Sequence, residues 1–163
     1  MPMTHRHPRR HQGGFSLIEA LVAMVVLSLG LLGLASLQIN ALRYNQVSQL
    51  RSQAATFAYQ MLDTMRASGD AAKNGEFDVT LTGTISGTSA AASEVTAWKT
   101  NLAATSVGLP SGQGSICRTN TPDPTVACTG AGDYVMITVQ WNEADDQGSR
   151  TAQTFQLVSQ VVK

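Results

Sequence analysis

The stretch "GGFSLIEALVAMVVLSLGLLGLASLQINAL", residues 13–42, decides the architecture. From residue 20 to residue 42 it carries no charge and no proline, and Leu, Ala, Val and Met dominate. At 1.5 Å per residue such a helix covers about 34 Å, enough to cross a hydrocarbon core of roughly 30 Å. One carboxylate, Glu19, stands at the head of this run, directly after Gly13, Gly14 and the aromatic Phe15. A charged side chain at the centre of a bilayer helix costs about 2.5–3.5 kcal/mol on insertion scales. Glu19 lies four residues after Phe15, roughly 6 Å along a helix, so it can stay near an interface while the apolar run is in lipid.

The 163-residue chain has a formal net charge of zero, but the charges are unevenly placed. Arg6, Arg9 and Arg10 precede the apolar run, as do all three histidines, His5, His7 and His11. Basic residues ahead of a membrane segment put the N-terminus in the cytoplasm and the C-terminal part outside it. Three processing patterns compete. An ordinary secretory signal has a shorter apolar core and a small-residue cleavage site, for which Ala35-Ser36 is the nearest candidate. A plain signal anchor explains the length of the run but neither Glu19 nor the leader. The third takes the pattern literally: the chain is cut after Gly14 and the apolar helix is kept.

Beyond Gly14 there is no histidine, so a Ser-His-Asp or Cys-His nucleophile and a His-ligated zinc are both excluded there. The chain is read as non-enzymatic and as needing no cofactor or metal. Eight Lys or Arg residues face eleven Asp or Glu residues after Gly14. Those of the head, Lys73, Lys99, Arg118, Arg150 and Lys163, are scattered in sequence, so no basic groove for nucleic acid is expected. Cys117 and Cys128 form one pair without CxxC spacing. They suit a disulfide in an oxidising compartment, with a free or redox-active pair as the other reading.

After Arg43 the pattern changes. Val47, Leu50, Ala54, Phe57, Ala58, Met61 and Met65 recur at spacings of three and four, which predicts an amphipathic continuation of the helix to Ala67. Ser68-Gly69-Asp70 is the stop signal. "FDVTLTGTI" alternates like a half-buried strand, and a Ser/Thr/Gly/Ala loop follows it. A short helix is predicted over residues 94–104, with Ser93 as N-cap. "LPSGQGSIC" is read as a turn. "YVMITVQW", residues 134–141, and "TAQTFQLVSQVV", residues 151–162, predict an antiparallel hairpin. "NEADDQGSR" is its polar tip, where Glu143, Asp145 and Asp146 are expected to be solvated. These elements make an α+β fold with a small antiparallel sheet laid on the amphipathic half of the helix.

"GFSLIEALVAM" resembles the N-terminal signal of type IV prepilins and pseudopilins. In that family a prepilin peptidase cuts after the glycine and N-methylates the new first residue. The resemblance implies cleavage between Gly14 and Phe15, methylation of the Phe15 amine, and a type IV pilin-like fold. It implies four segments: a basic leader (1–14), a membrane-spanning or filament-core half helix (15–42), an amphipathic half helix (43–67) and a periplasmic head (68–163). It also gives Glu19 a role: inside a filament its carboxylate pairs with the Phe15 amine of a neighbouring subunit and sets register, since a misregistered pair leaves both charges unpaired in apolar surroundings.

Further stretches, "MLDTMRAS", "LPSGQGSIC" and "YVMITVQWNE", resemble minor pilins of the PilV type. These imply a place in a tip or initiation complex that promotes pilus assembly, adhesion and twitching motility. The expected partners are the prepilin peptidase, other minor and major pilins, the inner-membrane assembly platform, and membrane lipid before assembly. The expected location is the inner membrane and then the pilus. A type II secretion pseudopilin is the main alternative. A membrane-anchored periplasmic enzyme and a DNA-uptake pilin are weaker ones. Calcium at the acidic tip has oxygen ligands in its favour but no ligand-loop pattern.

Overall fold

The computed structural model describes residues 14–106, 108–144 and 148–160. They form α1 (Leu17–Ala67), α2 (Gly69–Asn74), α3 (Ala90–Ala103), β1 (Gln113–Thr119), β2 (Tyr134–Ala144) and β3 (Arg150–Gln160). The chain divides into two compact units, Met1–Tyr44 and Asn45–Lys163. The first contains the apolar part of α1. The second contains the rest of α1 and the three-stranded sheet it packs on.

The head is α+β, as expected for a pilin-like fold. Its sheet is antiparallel in the order β1-β2-β3. The register sets Ile116 opposite Ile137, and Ile137 opposite Leu157. Val135, Ile137, Val139 and Trp141 alternate along β2 and are all buried. Against them lie Ala54, Ala58, Met61, Leu62 and Met65 from α1, and Val95, Trp98 and Leu102 from α3. Small residues at 54 and 58 let the α1 backbone come close to its neighbours. Trp98 crosses the core and donates its indole N–H to the Phe57 carbonyl at 3.0 Å, so its one polar atom is satisfied. α1 stops at Ala67 and α2 begins at Gly69. α2 ends on Gly75, whose φ of 77° is the left-handed conformation glycine adopts at little cost.

Four local expectations are corrected. First, α3 begins at Ala90, and its N-cap is Ser89, which accepts from the Ala92 N–H at 3.2 Å. Ala90, Ala91 and Ala92 are strong helix formers, so the helix extends back through Ser93. Second, "FDVTLTGTI" makes only an isolated bridge, Val79 with Ile116. Past Val79 the carbonyls of Thr80, Leu81 and Gly83 turn toward the Lys99 ammonium instead of a neighbouring strand. Third, much of "LPSGQGSIC" is strand β1 rather than turn. Gly114 is there because Trp98 occupies its side-chain space: a Cβ would lie 2.5 Å from Trp98 Cζ3 and 2.7 Å from Leu102 Cδ1. Fourth, β2 runs on to Ala144, which takes Glu143 out of the solvated tip and into the sheet. Asp145, Asp146 and residues 161–162 of the expected hairpin lie outside the described residues.

Candidate functional site

The candidate site is the start of α1. Residues 14–16 are non-helical, and the helix begins at Leu17. The Ser16 carbonyl starts its ladder by accepting from the N–H groups of Glu19 at 3.0 Å and Ala20 at 3.2 Å. Glu19 thus lies in the first turn, where the positive end of the helix dipole favours a carboxylate. Phe15 is 84% exposed, and nothing lies within 4 Å of the place a Gly14 side chain would occupy. Among the described residues nothing covers the Gly14-Phe15 bond. The leader before it, residues 1–13, lies outside the described residues.

The surface that follows is apolar on every side. The large hydrophobics from Leu17 to Leu42 are 53–79% exposed, and the most apolar 18-residue window has no share of its residues buried. Ser28 hides its hydroxyl by donating back to the Val25 carbonyl at 2.8 Å. Gly30 and Gly33 have open space where a side chain would be, so no packing within this unit requires them. Such a helix is long and apolar enough to cross a membrane. Its surface needs lipid or neighbouring helices, because nothing among the described residues of its unit covers it.

Residues 9–35 match the family model described as the prokaryotic N-terminal methylation motif. The chain carries a prepilin-like signal. The match includes Arg9 and Arg10, the Gly14-Phe15 junction and Glu19, and it ends within α1. It supports a pilin-type protein, either a type IV pilin or a pseudopilin-like one. Such a motif implies processing by a prepilin peptidase and assembly with other pilins, and it fits an inner-membrane anchor. No curated protein and no solved structure matches the chain.

In the head, Cys117 on β1 and Cys128 in the following loop form a disulfide, with Cα atoms 5.9 Å apart. Glu143 is not part of an open acidic cluster. It is buried, and Arg51 of α1 stands 3.6 Å from its Oε1. The Arg51 side chain is mostly exposed, whereas Glu143 keeps its other oxygen, Oε2, buried with no hydrogen-bond partner among the described residues. Among the described residues no group of three or more His, Cys, Asp or Glu is arranged to hold a metal.

Two basic residues serve the fold in ways their sequence positions do not signal. Lys99 donates to the carbonyls of Thr80 at 2.9 Å, Leu81 at 3.0 Å and Gly83 at 2.6 Å, tying that loop to α3. Burial lowers its pKa. Arg118 holds Asp78 at 3.0 Å and the Lys73 carbonyl at 2.6 Å, joining β1 to the end of α2. Asp78 is nevertheless raised, because loss of solvent outweighs the hydrogen bond and charge of Arg118. No local motif marks Lys99 or Arg118: their partners lie 16 to 45 residues away in sequence.

Proposed function

We propose that this chain is a minor pilin of the PilV type, a non-enzymatic subunit of a type IV pilus. It acts in a tip or initiation complex that promotes assembly, adhesion and twitching motility. The supporting observation is the head of α1: an exposed Gly14-Phe15 junction, Glu19 one turn later, and an apolar helix with no cover of its own. In this proposal the peptidase cuts after Gly14 and methylates the Phe15 amine. The N-terminus starts on the cytoplasmic side and the head is periplasmic. On leaving the bilayer, Glu19 exchanges its interfacial position for the Phe15 amine of a neighbouring subunit. The absence of proline from Phe15 through Arg66 sets the chain apart from the many major pilins with a proline in this helix. That favours a minor place over the main shaft.

Quantitative mass spectrometry of filaments sheared from cells that make this protein tests the assignment. The expected result is the mature chain, beginning at methylated Phe15, at a small fraction of the major subunit. Cells lacking the chain should show fewer filaments and reduced twitching. Loss of protein secretion with normal pili would place the chain in a type II secretion machine instead.

A further inference from the structure

The apolar run of α1 is bracketed by aromatic side chains and holds none inside. Phe15 stands before it and Tyr44 after it, and residues 16–43 contain no Phe, Trp or Tyr. Charge brackets the same run: there is none between Glu19 and Arg43. Tyr44 is 71% exposed and takes no part in the core of the head, so packing of the head does not account for it. The sequence changes character around it, from Ala41 and Leu42 to Asn45 and Gln46.

The spacing has a physical scale. Glu19 and Tyr44 lie on one continuous helix and in one compact unit. Tyr44 comes 25 residues after Glu19, which is about 38 Å along the helix. A hydrocarbon core is roughly 30 Å thick, or roughly 40–45 Å with its headgroup layers. Centred on such a core, the helix puts Glu19 and Tyr44 each about 4 Å beyond an edge, inside the headgroup layers. Burial among other helices sets no such length. Tyrosine suits that level, because its ring is apolar and its hydroxyl is wet.

The apolar run does not fix its own depth. Gln38 and Asn40 lie roughly 9 and 6 Å nearer the middle than Tyr44, so this placement keeps both in hydrocarbon. Sliding the helix toward the head side would wet them. The same slide would draw Glu19 into hydrocarbon and lift the Tyr44 ring into water. We propose that Tyr44 is a positioning residue: it anchors α1 in the phospholipid headgroup layer on the head side of the membrane and so holds Glu19 at the opposite interface. The anchor presupposes that α1 spans a bilayer.

The test is thiol labelling of the full-length protein in spheroplasts, with a charged, membrane-impermeant maleimide added on the head side. Cys117 and Cys128 are joined to each other and do not react. Ala23→Cys, Gly33→Cys, Ile39→Cys, Ala41→Cys and Asn45→Cys are made one at a time. Only Asn45→Cys is expected to label readily. Adding Tyr44→Ala should raise labelling of Ile39→Cys and Ala41→Cys by about tenfold, whereas adding Tyr44→Trp should leave the pattern as it is. Unchanged protection with Tyr44→Ala, or the same exposure with Tyr44→Trp, would overturn the anchor and leave α1 in the membrane. Labelling of Ala23→Cys and Gly33→Cys with Tyr44 in place would overturn the membrane-spanning reading and the anchor together.

Discussion

The two parts of α1 differ in residues and meet different surroundings. Between residues 17 and 42 the side chains are apolar on every face, and the large ones are all exposed. Between residues 45 and 67 the apolar positions narrow to a stripe, and Ala54, Ala58, Met61, Leu62 and Met65 disappear into the head. Hydrophobicity and periodicity both separate them: residues 20–42 carry no charge, whereas residues 45–67 include Arg51, Asp63, Arg66 and four glutamines around the stripe. An all-round apolar helix has to be covered from outside, whereas a striped one carries its own cover. The first part therefore expects a partner, lipid or other helices. The second part is finished when the head folds.

Altering the head of the uncovered part should break this contrast most strongly. On the assembly role proposed for Glu19, Glu19→Ala is expected to insert in the membrane normally and to fall on the order of tenfold or more in filaments. The ratio of filament-associated to membrane-associated protein measures this, and the unfolding midpoint of the head should not move. Equal incorporation of the variant would remove Glu19 from any assembly role. Gly14→Leu should act one step earlier and leave a precursor that retains its leader by intact mass.

On the covered side the effects should appear as stability instead. Ile137 is fully buried at the centre of the sheet, so Ile137→Ala should cost about 4 kcal/mol, read by chemical denaturation of the head. Next comes the disulfide. Cys117→Ser opens a loop with a sequence separation of 11 and should cost about 3 kcal/mol, with lower abundance of the protein in cells. Detection of free thiols in the native protein under non-reducing conditions would contradict this. Neither change should affect processing at Gly14.

How much of this was legible in sequence follows the same division. The long helix, its amphipathic stripe and the β2–β3 hairpin were readable because period and residue type agree over many positions. The methylation signal was readable because it is local. β1 was not, since Gly112 and Gly114 look like turn residues until Trp98 is seen to need the space over Gly114. The strand expected around Val79 failed because Lys99, distant in sequence, draws the carbonyls that would have paired. Glu143 was misplaced because β2 pairs with β3 as far as Ala144 opposite Arg150, with Glu143 opposite Thr151, a pairing the polar run does not signal. Local pattern carries the helix and the hairpin, whereas tertiary contacts decide where a glycine or a charge ends up.

The smallest expected effect concerns Asp78, and it tests whether burial or charge pairing governs its contact with Arg118. Asp78 lies 3.0 Å from Arg118, a geometry that alone would lower a carboxylate's pKa. Its other oxygen, Oδ1, is buried without a hydrogen-bond partner among the described residues, and desolvation raises the group above its ordinary value of 3.8. A raised folded pKa means that the folded state holds its proton more tightly than the unfolded chain. The resulting stabilisation is complete below pH 3.8 and is lost as pH rises through the folded pKa. Asp78→Asn removes this titration. Wild type should therefore lose stability relative to the variant as pH rises from 3.8 through the folded pKa, measured by denaturant unfolding at each pH. If wild type instead gains over that window, the Arg118 pair outweighs burial.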